Sequence, residues 1–170
     1  YAAVISVHGD DKGLILPFEL APVQVVIVPI YKGENKKIVD SECGKIEKIL
    51  RESGIKVKFD NSENTPGFKF NHWEMKGVPL RVDIGERDIS NKSVVVVRRD
   101  NREKSFVKVA ELIEKINKSA KDVSNSIREK ADQWFKGKVN SATTMKELSN
   151  ILETTGGFVR VPFCTDEMEG

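Results

Sequence analysis

Residues Val23 to Ile30 read VQVVIVPI, a near-continuous apolar run. A strand with one solvated face alternates polar and apolar side chains, whereas a run without alternation belongs to a strand covered on both faces. Working outward, Ile38, Val39, Cys43, Ile46, Ile49 and Leu50 recur at helical spacing between Lys36 and Glu52, and Gly54 sits where a helix-ending glycine is expected. Ile55, Val57 and Phe59 then alternate with Lys56 and Lys58 at strand period. After a polar loop, Pro66 opens a short helix to Lys76 that Gly77 ends. Leu80, Val82 and Ile84 alternate with Arg81 and Asp83, and Val94 to Val97 forms another buried strand. Strand, helix, strand, helix, strand, strand predicts an α/β fold built on a mixed sheet.

Towards the N-terminus, Ala2 to Val7 predicts a short apolar strand leading into the polar loop His8 to Leu14 (HGDDKGL). Past a hairpin crowded with Arg98, Arg99, Arg102 and Lys104, the apolar positions Val109, Leu112, Ile113 and Ile116 mark one helix. Val123, Ile127, Ala131, Trp134 and Phe135 mark a second, and a domain boundary is placed near Ser119. Gly137 to Thr143 lacks apolar period and reads as a linker. Thr144 and Glu147 have capping-box spacing and open a helix that ends by Gly156 and Gly157. An α/β domain is therefore followed by a smaller helical appendage. The chain lacks an initiator methionine, begins in an apolar run and stops just past Cys164, so it is expected to be an internal piece of a longer protein.

Lys and Arg number 28 against 26 Asp and Glu, a net charge of +2, so any affinity for nucleic acid must come from a local patch. No apolar run approaches the roughly 20 residues that cross a bilayer. The two cysteines, Cys43 and Cys164, form no CxxC pair, which makes a reducing compartment the default.

Four constellations can carry chemistry, each with a structural alternative. His8, Asp10 and Asp11 suit a cation or a proton shuttle, or only a polar turn. Phe68, Phe70, His72 and Trp73 among Lys69, Lys76 and Arg81 combine rings with cations, as single-stranded RNA sites do; the alternative is rings in a core and cations in solvent. Arg98 to Lys104 could hold phosphates or simply keep a hairpin tip soluble. Cys164 could be a zinc thiolate, although a structural zinc needs four ligands. A nucleotide-binding α/β module would need GxGxxG or GxxxxGK[ST] after a strand, and neither occurs.

The succession VHGDDKGLILPFELAPVQVVIVPI, PGFKFNHWEMKGVPLRVDIGERD, VVVVRRD and GFVRVPFC resembles the prolyl-tRNA synthetase family of the archaeal and eukaryotic type, over nearly the whole chain and in the family's order. Other class II synthetases (threonyl, glycyl, histidyl) share only the AP-x-QV strand and the Gly-x-Arg-Asp turn; such a domain, or a free-standing α/β module, is the alternative. The resemblance implies that residues 1–22 are the last strand and exit loop of a catalytic domain. It also implies that 23–118 are an anticodon-binding domain with a mixed, about five-stranded sheet, and that 119–170 start a C-terminal zinc-binding domain. By the same resemblance His8 and Asp10 would lie near the ATP site, Cys164 would be a zinc ligand, and ATP with Mg2+, proline and tRNA(Pro) would engage a cytoplasmic homodimer. No membrane or DNA is implied, and this segment alone is expected not to activate proline.

Residue chemistry and resemblance converge on Pro66 to Arg87. Proline anticodons carry adjacent guanines, whose Watson–Crick edge offers N1–H and N2–H2 as donors and O6 as acceptor. A carboxylate suits the donors and an arginine suits O6. Glu74 and Arg81 supply these, and Phe70, four residues before Glu74, shares its helical face and offers a ring for stacking. Arg81 alternates with Leu80 and Val82 and so points away from their core. Arg87, Arg98 and Arg99 are further candidates for base or phosphate contact, Arg87 having a structural pairing with Asp83 or Asp88 as its alternative. Trp73, about 100° around the helix from Glu74, is assigned to the core; His72 and Cys43 are assigned structural roles.

Overall fold

A computed structural model of the chain describes residues 6–32 and 35–162. Its centre is a five-stranded mixed sheet. The strands are β3 (Val25–Ile30), β4 (Val57–Phe59), β5 (Leu80–Gly85), β6 (Ser93–Arg98) and β7 (Lys104–Lys108), in the order β4-β3-β5-β6-β7. β3 runs parallel to both neighbours, while β5, β6 and β7 are antiparallel in turn. The parallel connections are made by α1 (Lys36–Glu52) and α2 (Pro66–Met75), and α3 (Glu86–Ser90) links β5 to β6. The α/β fold expected from VQVVIVPI is therefore present, and Val25 to Val28 are wholly buried at 0% exposure.

Period-two alternation divides the sheet into two faces. One presents Val25, Ile27, Leu80, Val82 and Ile84 to Val39, Cys43, Ile46 and Leu50 of α1 and to Leu112, Ile116 and Val123 of α4 (Leu112–Gly137). The spacing of the α1 residues is that of a buried helical stripe, and Gly54 ends the helix at φ +80°. The other face presents Val26 and Val28, against which Val78, Phe70 and Trp73 pack from the α2 side. Thr65 caps α2 by accepting from the Phe68 N–H, and Pro66 follows at the first turn. A single short helix cannot cover five strands, so the part of this face on β6 and β7 stays open: Phe106 is 79% exposed.

Preceding the sheet, β1 (Gly9–Asp10) and β2 (Gly13–Leu14) form a small hairpin. Of the strand expected over Ala2–Val7, residues 2–5 lie outside the described residues; Ser6, Val7 and His8 are helical, and Ser6 and Val7 are exposed instead of sheet-buried. Cys164, the expected zinc ligand, also lies outside the described residues.

The chain divides into two compact units, Tyr1–Ile127 and Arg128–Gly170. The boundary expected near Ser119 is no break in the helix: Ser119 is 1% exposed inside α4, small enough to sit in the core without ending it. In the second unit β8 (Val139–Ser141) pairs in parallel with β9 (Phe158–Arg160). The expected linker thus contains a strand, too short at three residues to show an apolar period. α5 (Met145–Thr154) opens with the expected capping box between Thr144 and Glu147.

Candidate anticodon interface

Phe70, Glu74 and Arg81 converge. Phe70 and Glu74 share a face of α2, and Arg81 rises from β5 on the face that packs against that helix. The Arg81 guanidinium lies 3.8 Å from the centroid of the Phe70 ring. Its Nη1 donates to Glu74 Oε1 at 3.2 Å, and its Nε donates to Asp83 Oδ1 at 2.9 Å. The side chains of Arg81 and Glu74 are 12% and 19% exposed, so each keeps an edge in solvent. Among the described residues no group donates to Glu74 Oε2, and the Arg81 Nη2 donors are likewise uncommitted. The pair therefore presents carboxylate acceptors beside guanidinium donors. Because Arg81 covers one side of the Phe70 ring, the surface offered to a flat partner is the ring together with the guanidinium above it.

Burial pushes the Asp83 carboxyl up, against the opposing pull of Arg81 and Lys104. Lys104 belongs to the same surface. Arg81 pairs with Val97 and Val97 with Lys104, while Asp83 pairs with Val95 and Val95 with Phe106, so all these side chains share the open face. A cleft of about 440 Å³ at the C-terminal end of β3 and β5 is lined by Ile30, Lys32, Arg87, Val95 and Phe106. Arg87 thus stands in this cleft and not beside Arg81, and its expected partners are occupied. Asp83 is held by Arg81, and Asp88 accepts from the Gly85 N–H at 2.9 Å. Sequence reading missed Phe106 and Lys32 at this cleft and did not join Lys104 to the face of Arg81 and Asp83; the strand register, which couples positions more than twenty residues apart, brings Lys104 and Phe106 there.

The remaining candidates are committed within the fold. Arg98 forks onto Asp100, with Nε to Oδ1 at 3.0 Å and Nη2 to Oδ2 at 2.7 Å. Glu103 at 3.5 Å and Asp122 at 3.8 Å surround the same guanidinium. Arg99 has a side chain only 2% exposed and forks onto Asp10, with distances of 2.8 and 2.6 Å. Both oxygens of Asp10 are therefore engaged, and the hydrogen bonds from Arg99 hold its carboxyl well below the usual carboxylate range. His8 is half-buried beside this hairpin. Among the described residues no three His, Cys, Asp or Glu side chains cluster to hold a metal ion.

The aromatic group resolves unevenly. Trp73 is half-buried and donates from Nε1 to Asp60 Oδ2 at 2.7 Å, the core role expected of it. Phe68 stacks on His72 with ring centroids 6.1 Å apart. Lys69, grouped with the cations that neutralise RNA, is instead 1% exposed; its Nζ donates to the Asp60 carbonyl at 3.0 Å and lies 5.6 Å from the Tyr31 ring.

The mixed sheet thus gathers a ring, a carboxylate and an arginine beside its open face. Residues 24–119 match the anticodon binding domain family, and the chain belongs to that family. Over almost its full length it is also similar to proline–tRNA ligases. That of Pyrococcus abyssi is 43% identical over 169 residues, covering 99% of this chain and 35% of that protein. That of Thermofilum pendens is 45% identical over 168 residues, 98% of this chain and 35% of that protein. That of Natranaerobius thermophilus is 42% identical over 166 residues, 97% of this chain and 34% of that protein. The chain spans about a third of the length of these relatives.

Proposed function

We propose that this chain reads the guanines of the proline anticodon and serves a proline–tRNA ligase, with α2 and β5 supplying the reading groups. The observation that carries the proposal is the Phe70–Arg81–Glu74 stack: a guanidinium 3.8 Å over a ring and 3.2 Å from a carboxylate, with free donors and acceptors side by side. A guanine laid against it finds Glu74 acceptors for N1–H and N2–H2 and an Arg81 donor for O6. Lys104, Lys32 and Arg87 border the same open face and are placed to neutralise the phosphates on either side of the bases. Phe106 offers a second exposed ring for a neighbouring base.

The proposed activity of the intact ligase is formation of prolyl-adenylate from proline and ATP, then transfer of the prolyl group to the terminal adenosine of tRNA(Pro). ATP with Mg2+, zinc, dimerisation and cytoplasmic residence are assigned to the intact protein on the family resemblance. Both oxygens of Asp10, expected near the ATP site, are taken by Arg99. No helix among the described residues is long and apolar enough to cross a membrane.

The test is binding of the chain to a proline anticodon stem-loop and to the same loop with both guanines replaced by adenines, over a range of salt. Tighter binding of the guanine loop is expected, with both affinities falling as salt rises because phosphate neutralisation releases counterions. Equal affinity for the two loops at every salt concentration would refute base reading.

A further inference from the structure

Glu74 is the penultimate residue of α2, a helix of ten residues ending at Met75. Helix ends lack intrahelical partners for their last carbonyls and fray. A carboxylate on a fraying turn would sample many positions, and discrimination between bases would be diluted. Locally the turn is closed by the Gly77 N–H donating to the Glu74 carbonyl at 3.0 Å and the Val78 N–H donating to the Trp73 carbonyl at 3.2 Å, and further ties come from another part of the chain. The β1–β2 hairpin lies directly against it: a Cβ on Gly13, whose φ is +129°, would stand 2.5 Å from Met75 Cα. A Cβ on Gly77, at φ +75°, would stand 2.6 Å from Leu14 Cβ. Such approaches exist only because both residues are glycine. The Leu16 N–H donates to the Gly77 carbonyl at 3.3 Å.

Arg99 binds these pieces together. Its Nε donates to the backbone carbonyl of Glu74 at 3.1 Å, its two Nη groups take both oxygens of Asp10 at 2.8 and 2.6 Å, and Nη2 also reaches the Gly13 carbonyl at 3.4 Å. Its backbone N–H donates to the Pro79 carbonyl at 3.0 Å, tying the Arg99 main chain to the entry of the strand that carries Arg81. One buried fork therefore spans the hairpin, the last turn of α2 and the entry to β5. A pair with both partners in solvent would do little; here the Arg99 side chain is 2% exposed, while Asp10 keeps 35% of its side-chain surface in solvent.

We infer that Arg99 and Asp10 are positioning residues for base discrimination: the Asp10–Arg99 fork fixes the last turn of α2 and thereby sets the Glu74 carboxylate against the anticodon. The inference rests on Glu74 reading guanine. It also gives the HGDD segment a role in recognition, because the loop that precedes the sheet is the buttress of the reading helix.

The test uses the whole 170-residue chain and two stem-loops, the proline anticodon loop and its adenine-substituted form. The readout is the ratio of the two dissociation constants, which a change in overall stability alone does not move so long as the protein is folded. Arg99→Lys keeps the charge but cannot span Asp10 and the Glu74 carbonyl together. The ratio is expected to fall roughly 2- to 30-fold, the range for residues that couple to a site without touching the ligand. Affinity for the adenine loop should change little. Asp10→Asn, which leaves the bonds of Arg99 to the Gly13 and Glu74 carbonyls in place, should lower the ratio in the same direction, and it carries the test if Arg99→Lys does not fold. Glu74→Ala is measured alongside, and adding Arg99→Lys to it should change the ratio no further. If Glu74→Ala lowers the ratio and the clamp variants do not, or if they weaken both loops equally, the inference is overturned while base reading by Glu74 stands. If Glu74→Ala itself leaves the ratio unchanged, the anticodon reading by Glu74 fails and the inference falls with it.

Discussion

Glu74→Gln is the most discriminating change to make in this surface. The substitution preserves length and volume and converts one acceptor oxygen into an NH2 donor. In the structure Oε1 already accepts from Arg81 at 3.2 Å, and the side chain is 19% exposed. A guanine edge brings two donors, so an amide can satisfy one and opposes the other with a donor of its own. Loss of one hydrogen bond to a charged group costs about 1.5–3 kcal/mol. Discounting for partial exposure gives roughly 1–2 kcal/mol, or about 5- to 30-fold in affinity for the guanine loop. Adenine is the reverse case: its Watson–Crick edge has one acceptor and one donor, which an amide complements, so the adenine-substituted loop should bind the variant at least as well as the parent. Fluorescence anisotropy titration with both stem-loops at fixed salt measures the two effects. Weakening of both loops by the same factor, or of neither, would refute the assignment of Glu74 to base reading. Thermal unfolding of the variant checks that the loss of charge opposite Arg81 has not disturbed the fold.

Phe70→Ala should weaken both loops with little change in their ratio, because it removes the seat of Arg81 and a sequence-tolerant stacking surface; preferential loss of the guanine loop would show that the ring acts through Glu74 instead. Burial pushes the Cys43 thiol up to about 12, leaving about one thiolate in ten thousand at pH 8. In a Cys164→Ser background, iodoacetamide should therefore label native protein far more slowly than urea-unfolded protein, and comparable rates would sink the argument. Asp10→Asn removes stabilisation that is fully present above the unfolded carboxyl value of about 3.9 and is lost as pH falls below it toward the depressed folded value. The stability gap between parent and variant, taken from urea melts, should be flat from pH 7 to about 5 and shrink below about 4; a gap independent of pH would contradict the depression.

The parts of this molecule that could be read from sequence are those fixed by local period. The α1 stripe, the β5 alternation and the i, i+4 relation of Phe70 and Glu74 involve neighbours within a turn or a strand, and the structure brings Arg81 to both. Arg98 and Arg99 could not be separated that way. They are adjacent, yet Arg98 is held by Asp100 and Asp122 whereas Arg99 meets Asp10 across 89 positions of sequence. Lys69 escaped for a related reason: its burial depends on the Asp60 carbonyl and the Tyr31 ring, which no periodicity announces. That the helix runs unbroken through Ser119 was not legible either, because periodicity does not say whether two apolar stripes share one helix; Ser119 is small enough to be buried there.

The two edges of the central sheet have a consequence for solubility. β4 is three residues long with Lys58 exposed, and β7 carries exposed Lys104 and Lys108 on either side of Phe106. An incoming strand from a second copy would align with its own lysines or find too short a template, so neither edge invites extension of the sheet. Phe106 can therefore remain 79% exposed on the open face without seeding aggregation, and a ring that most folds would have to hide stays available to a flat, soluble, negatively charged partner.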